Sequence, residues 1–124
     1  MFTKKNIDTT KEGYDAYSTG DVATALSNFD DDIEWFVAGN SKVSGTYRGK
    51  AEVLEMLAKL AEKSFTTAPR RFLADGDDVV VLTQSTAGGE SGHQVDVYTF
   101  SNGKIVKAES FGDTAMTERV YGRK

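Results

Sequence analysis

Beyond Pro69, the only proline, the sequence keeps a period of two from Arg71 to Phe111, and this rhythm restricts the fold more than any other feature. Four segments carry it: Arg71 to Ala74, Asp78 to Ala87, Gln94 to Phe100 and Lys104 to Phe111. Three turns separate them, Asp75-Gly76-Asp77, Gly88-Gly89-Glu90-Ser91-Gly92 and Ser101-Asn102-Gly103, each with glycine where the backbone can need a positive φ. Strands joined by such short turns pair with their neighbours, so an antiparallel meander is expected.

The first half has the other period. Thr9-Thr10-Lys11-Glu12 fits a capping box with Thr9 as cap, predicting a helix to about Ser18 that Thr19-Gly20 stops and that carries Tyr14 and Tyr17 on one face. Asp21 suits the N-cap of a shorter helix whose Val22, Ala25, Leu26 and Phe29 form one stripe. Asp30-Asp31-Asp32 reads as the turn closing that helix, and Ile33 to Val37 as a strand ended by Ala38-Gly39-Asn40-Ser41. From Gly49 a third helix is expected, with Val53, Leu54, Leu57, Leu60 and Ala61 on its apolar side. Thr114 to Gly122 reads as a short terminal helix or strand.

Helices first and strands after predict an α+β fold, a curved, mostly antiparallel sheet laid against three helices. At 124 residues the chain fits a single domain over 1–124, long enough to bury roughly two thirds of its unfolded surface. The last strand sets Ala108, Ser110 and Gly112 on one face, and the strand before it sets Asp96, Tyr98 and Phe100 on one face. Small residues beside large ones leave a hollow where a small apolar molecule can sit.

Composition narrows the chemistry. A net charge of -4 offers no footprint for nucleic acid or an anionic membrane. No apolar run approaches the roughly 20 residues of a membrane span, and Met1-Phe2-Thr3-Lys4-Lys5-Asn6 leads into no run of signal-peptide length, so a cytoplasmic protein is expected. No cysteine and a single histidine, His93, rule out thiolate chemistry and a zinc triad of histidines within one chain. What remains is carboxylate and phenol chemistry, with no metal and no cofactor expected.

Four strings, in order along the chain, resemble the nuclear transport factor 2-like superfamily, in particular its SnoaL-like polyketide cyclase and ketosteroid isomerase branch. They are Tyr14-Asp15-Ala16-Tyr17-Ser18-Thr19-Gly20-Asp21, Phe29-Asp30-Asp31-Asp32-Ile33-Glu34-Trp35, Gly45-Thr46-Tyr47-Arg48-Gly49-Lys50-Ala51-Glu52-Val53 and Tyr98-Thr99-Phe100-Ser101-Asn102-Gly103-Lys104-Ile105-Val106. The resemblance implies a cone-shaped α+β barrel, cystatin-like in class, a deep apolar pocket and a homodimer formed through the outer face of the sheet.

Residue by residue, the resemblance puts Asp96 where the isomerase holds a protonated aspartic acid that donates to a substrate oxyanion. Val37 falls where the isomerase has its base, and Tyr14 lies one residue nearer to Gly20-Asp21 than the isomerase's tyrosine. Asp113 resembles the cyclases' catalytic aspartate after the last strand, whereas His93 lies too far back for their histidine. The reading is a cofactor-independent enzyme acting on an apolar carbonyl compound by proton abstraction, isomerising or cyclising it. Asp113 would be the base, and Asp96 or Tyr14 would stabilise the enolate. Tyr17, Trp35, Met56, Leu57, Leu60, Tyr98, Ala108 and Ser110 would wall the ligand. Each has an ordinary counterpart: Asp113 as N-cap of a following helix, Asp96 on a solvated face, Tyr14 and the wall as plain core, His93 exposed beside a flexible hairpin tip. A non-catalytic ligand-binding or dimerisation module is the alternative from another class.

Overall fold

The computed structural model describes residues 2–124. In chain order the elements are α1 (Phe2–Ser18), α2 (Val22–Leu26), β1 (Phe29–Val37), β2 (Gly45–Arg48), α3 (Gly49–Ala61), β3 (Thr66–Asp75), β4 (Asp78–Ala87), β5 (Glu90–Ser101), β6 (Lys104–Phe111) and α4 (Thr114–Tyr121). The six strands form one curved sheet in the order β2-β1-β6-β5-β4-β3. Every neighbouring pair is antiparallel except β1 and β6, which run parallel. The fold is α+β, as the two periods predict.

Three local expectations are corrected. The helix α1 does not start at a Thr9 cap: the Thr10 hydroxyl donates back to the Asn6 carbonyl at 2.8 Å, as a threonine does inside a helix. One turn apart, Asn6, Thr10 and Tyr14 form a buried stripe that carries the helix back to Phe2. Asp21 does cap α2, accepting from the Thr24 amide at 3.1 Å, but Phe29 belongs to β1. The acidic triplet is also part of β1, where pairing with β6 jumps from Phe29↔Ile105 to Glu34↔Lys107. The extra residues bulge outward, with the Asp30 carboxylate accepting from the Asp32 amide at 2.9 Å.

The meander is as expected, with longer strands. The run read as a loop from Gly88 to Gly92 is a two-residue turn, Gly88-Gly89, at φ +56° and +81°, the doubly positive geometry that matches strand twist. Strand β3 begins before Pro69, which is tolerated because β3 is an edge and the ladder bulges between Pro69 and Arg71. The short β2 was not anticipated; its alternation is too brief to register. The helices, with Val53 and Met56 of α3, cover the inner face of the sheet over Ile33, Val79, Val81 and Ala108, all six shut off from solvent.

Candidate functional site

The core is not filled. Between the helices and the inner face of the sheet lies a cavity of about 130 Å³, walled by α1, α2, α3, the inner faces of β1, β5 and β6, and α4 at its rim. Each sequence period aims its residues there. Three residues apart on α1, Tyr14 and Tyr17 both line it, and so do Asp96 and Tyr98, two apart on β5. Trp35, Met56, Leu57, Leu60 and Ser110 line it too. The Trp35 indole N–H donates to Ser110 Oγ at 3.0 Å, which locks the ring against β6. Trp35 and Tyr14 each meet the Tyr98 ring edge to face, at centroid distances of 5.9 and 6.0 Å.

At the centre is Asp96, 3% exposed. Its Oδ2 accepts from the Tyr14 hydroxyl at 2.5 Å and its Oδ1 from the Gln94 amide Nε2 at 2.9 Å. The Tyr98 hydroxyl donates to Tyr14 Oη at 2.9 Å, so the two phenols form a chain ending on the carboxylate. Burial pushes the Asp96 carboxyl above the usual carboxylate range, and the hydrogen bonds from Tyr14 and Gln94, with the hydroxyls of Ser110 and Tyr98 close by, pull partly back. Burial first, then the neighbouring phenol and carboxylate, raise Tyr14 well above an ordinary phenol, and burial followed by Asp96 does the same to Tyr98. At neutral pH both phenols are therefore neutral donors. Among the described residues lining the cavity, Asp96 is the one carboxyl group, and the other ionisable side chains there are phenols.

Asp113 corrects the expectation of two acids on one hollow. It is exposed and outside the lining, although its neighbours Gly112 and Thr114 belong to it. Its Oδ1 accepts from the Met116 amide at 3.0 Å and its carbonyl from the Thr117 amide at 3.0 Å: it is the N-cap of α4. Ala108 is no wall residue either. It is fully buried between its register partners Trp35 and Tyr98, beneath the surface that a ligand would touch. His93 is exposed, and Val37 lines the cavity without polar function.

Sequence reasoning missed Gln94, though it shares a strand face with Asp96, and it missed the part that α4 plays in the site, where Met116 and Tyr121 close the rim. The Tyr121 hydroxyl donates to the Leu60 carbonyl at 2.8 Å, and burial pushes that phenol up to about 12. The glycine-rich turn is the seat of this helix and not a free tip. A Cβ on Gly88 would lie 3.0 Å from Val120, and one on Gly92 3.0 Å from Asp113 Cβ and 3.2 Å from Met116 Sδ. Among the described residues, no group of three His, Cys, Asp or Glu side chains is placed to hold a metal ion. Nor is any helix there long and apolar enough to cross a membrane.

Comparison with known proteins agrees with this geometry. The family model described as SnoaL-like domain matches residues 10–108. An uncharacterized protein of Mycobacterium tuberculosis strain H37Rv, Rv0034, is 26% identical over 98% of this chain and 99% of its own. A solved Xanthomonas campestris protein with a cystatin-like fold is 33% identical, covering 95% of this chain and 98% of its own at a TM-score of 0.88. TerC, solved after co-crystallization with polyporic acid, is 26% identical over 94% of this chain and 97% of its own at a TM-score of 0.82.

Proposed function

The chain belongs to the SnoaL-like domain family, and from that premise we propose that it is a small-molecule enzyme in which Asp96 removes a proton from the carbon beside a carbonyl. The observation that carries the proposal is the solitary carboxylate: an apolar cavity holds one titratable acid, desolvated and braced by a phenol on one oxygen and an amide on the other. Desolvation raises its affinity for a proton, as a general base working near neutral pH requires. The base thus moves from Asp113, committed to its cap, to Asp96.

In the step, the C–H bond breaks, its proton goes to an Asp96 oxygen and its electron pair delocalises onto the carbonyl oxygen. A protonated Asp96 accepts less strongly from Tyr14, whose O–H is then free to turn to the enolate, with Tyr98 donating behind it. Return of the proton at another carbon isomerises the substrate; attack of the enolate on a second carbonyl cyclises it. That a relative of this fold has been co-crystallized with polyporic acid supports a small organic ligand.

The test uses 2-tetralone in deuterium oxide, with exchange at its α-carbons followed by NMR and binding read from Trp35, the only tryptophan and a lining residue. Exchange should fall about a hundredfold or more in Asp96→Asn while fluorescence quenching persists. Equal exchange in the variant sinks the assignment. A ligand-binding module without chemistry is the second reading, favoured by a network in which both Asp96 oxygens already have partners; it predicts quenching with no exchange in the wild type.

The same reading includes a homodimer through the outer sheet face. There Leu82, Val95 and Phe111 lie in one register row and Val80 and Val97 in the next, and Phe111 is 42% exposed.

A further inference from the structure

We infer that Gln94 is the positioning residue for the Asp96 carboxylate, and that Gly112 is the gap across the strand that gives the Gln94 amide its room. The inference rests on Asp96 as the working acid of the cavity. Two residues apart on β5, Gln94 and Asp96 point to the same inner face, and the amide donates to Oδ1 while Tyr14 holds Oδ2. Donors on different oxygens fix the rotation of the carboxyl plane, which neither can fix alone.

A glutamine side chain has three freely turning bonds, so something must hold it in turn. A Cβ built on Gly112 would lie 3.2 Å from Gln94 Oε1, 3.7 Å from its Cγ and 3.8 Å from its Cδ, so the Gln94 side chain lies against the space that a Cβ there would take. Unlike Gly88 or Gly122, Gly112 does not adopt a positive φ. The backbone there accepts any residue; a side chain would press on the Gln94 amide, which would have to give by a few tenths of an ångström.

The groups that face the carboxylate are few. Tyr14 comes from α1, Gln94 and Tyr98 from β5, and Ser110 from β6, where it is the register partner of Asp96. On β4 the partner is Val81, and α4 brings Thr114 and Met116 to the cavity. None of these carries a charge at neutral pH, so the titration of Asp96 reports the hydrogen bonds and the burial around it.

The experiment is a pH titration of the Asp96 carboxyl carbon by NMR in the full chain, for wild type, Gln94→Leu, Gly112→Ala and the double variant. Losing a donor that holds the ionised form more strongly than the protonated one should move the midpoint up by about one pH unit in Gln94→Leu. Gly112→Ala should move it the same way by less, and should add nothing in the Gln94→Leu background, because its effect passes through the amide. Should Gln94→Leu not fold, Gln94→Asn keeps the polarity, lacks the reach, and should shift the midpoint upward too. An unmoved midpoint in the Gln94 variants, no shift in Gly112→Ala alone, or a Gly112→Ala shift that survives without Gln94 overturns the inference. The titration needs no turnover, so an Asp96 that is no base fails the exchange assay and leaves this result standing.

Discussion

At the scale of the single residue, Asp96 sets a cost in stability against a capacity for chemistry. Its carboxyl binds a proton more tightly in the folded chain than in the unfolded one, where its value is the ordinary 3.8. Asp96 therefore contributes stability below 3.8, and that contribution is lost as pH rises through the raised folded midpoint. Asparagine has the shape of the protonated acid at every pH. Asp96→Asn should accordingly melt higher than wild type at neutral pH, with the gap narrowing as pH falls from the raised folded midpoint toward 3.8 and levelling off below it; thermal melts across that range check it, and a gap that widens toward acid contradicts it. The inward position of Asp96 was legible because Asp96, Tyr98 and Phe100 share a strand face, and that of Tyr14 because Tyr14 and Tyr17 share a helix face. The role of Asp113 was not. An aspartate ahead of a helix is the same letter whether it caps or catalyses, and the direction of its side chain depends on a turn that the pattern does not encode.

At the scale of the element, α4 decides how the cavity is closed. It is held by the Asp113 cap, by Tyr121 on the Leu60 carbonyl, by the seating of Val120 on Gly88, and by Arg119, whose Nη2 meets Glu90 Oε1 at 2.8 Å. That ion pair is half exposed and worth little. The cap is worth more: Asp113→Ala should lower stability by about 1 kcal/mol in urea denaturation. Asp113→Asn restores a capping oxygen and should match wild type both in stability and in exchange of 2-tetralone, whereas a base at this position would lose its activity in the asparagine variant. Helix α4 was half legible, since its span was expected as helix or strand. Its docking was not, because the glycines that receive it, Gly88 and Gly92, look in sequence like any flexible turn.

At the scale of the whole molecule, the meander was readable because each strand pairs with its neighbour in the chain, while the parallel joint of β1 to β6 was not. That joint brings Trp35 beside Ala108 across more than half the sequence, and nothing local announces such a partner. Yet the joint makes the cavity, since it sets Trp35 and Ser110 opposite Tyr14 and Tyr98. It also leaves the outer face as one continuous surface, with Phe36 against Phe111 at 6.0 Å and Leu82, Val95 and Val97 filling its centre. A stable interface needs roughly 800 Å² from each partner, and a face of this kind, apolar at its middle, suits a second copy. An arginine in place of Leu82 would carry an unpaired charge into the centre of both halves, twice over by symmetry. Leu82→Arg should therefore sediment as a monomer where wild type sediments as a dimer. Because Leu82 points away from the cavity, ligand quenching of Trp35 should be retained in the monomer. A wild type that sediments as a monomer, or a variant that sediments as a dimer, would show that this face is not where two copies meet.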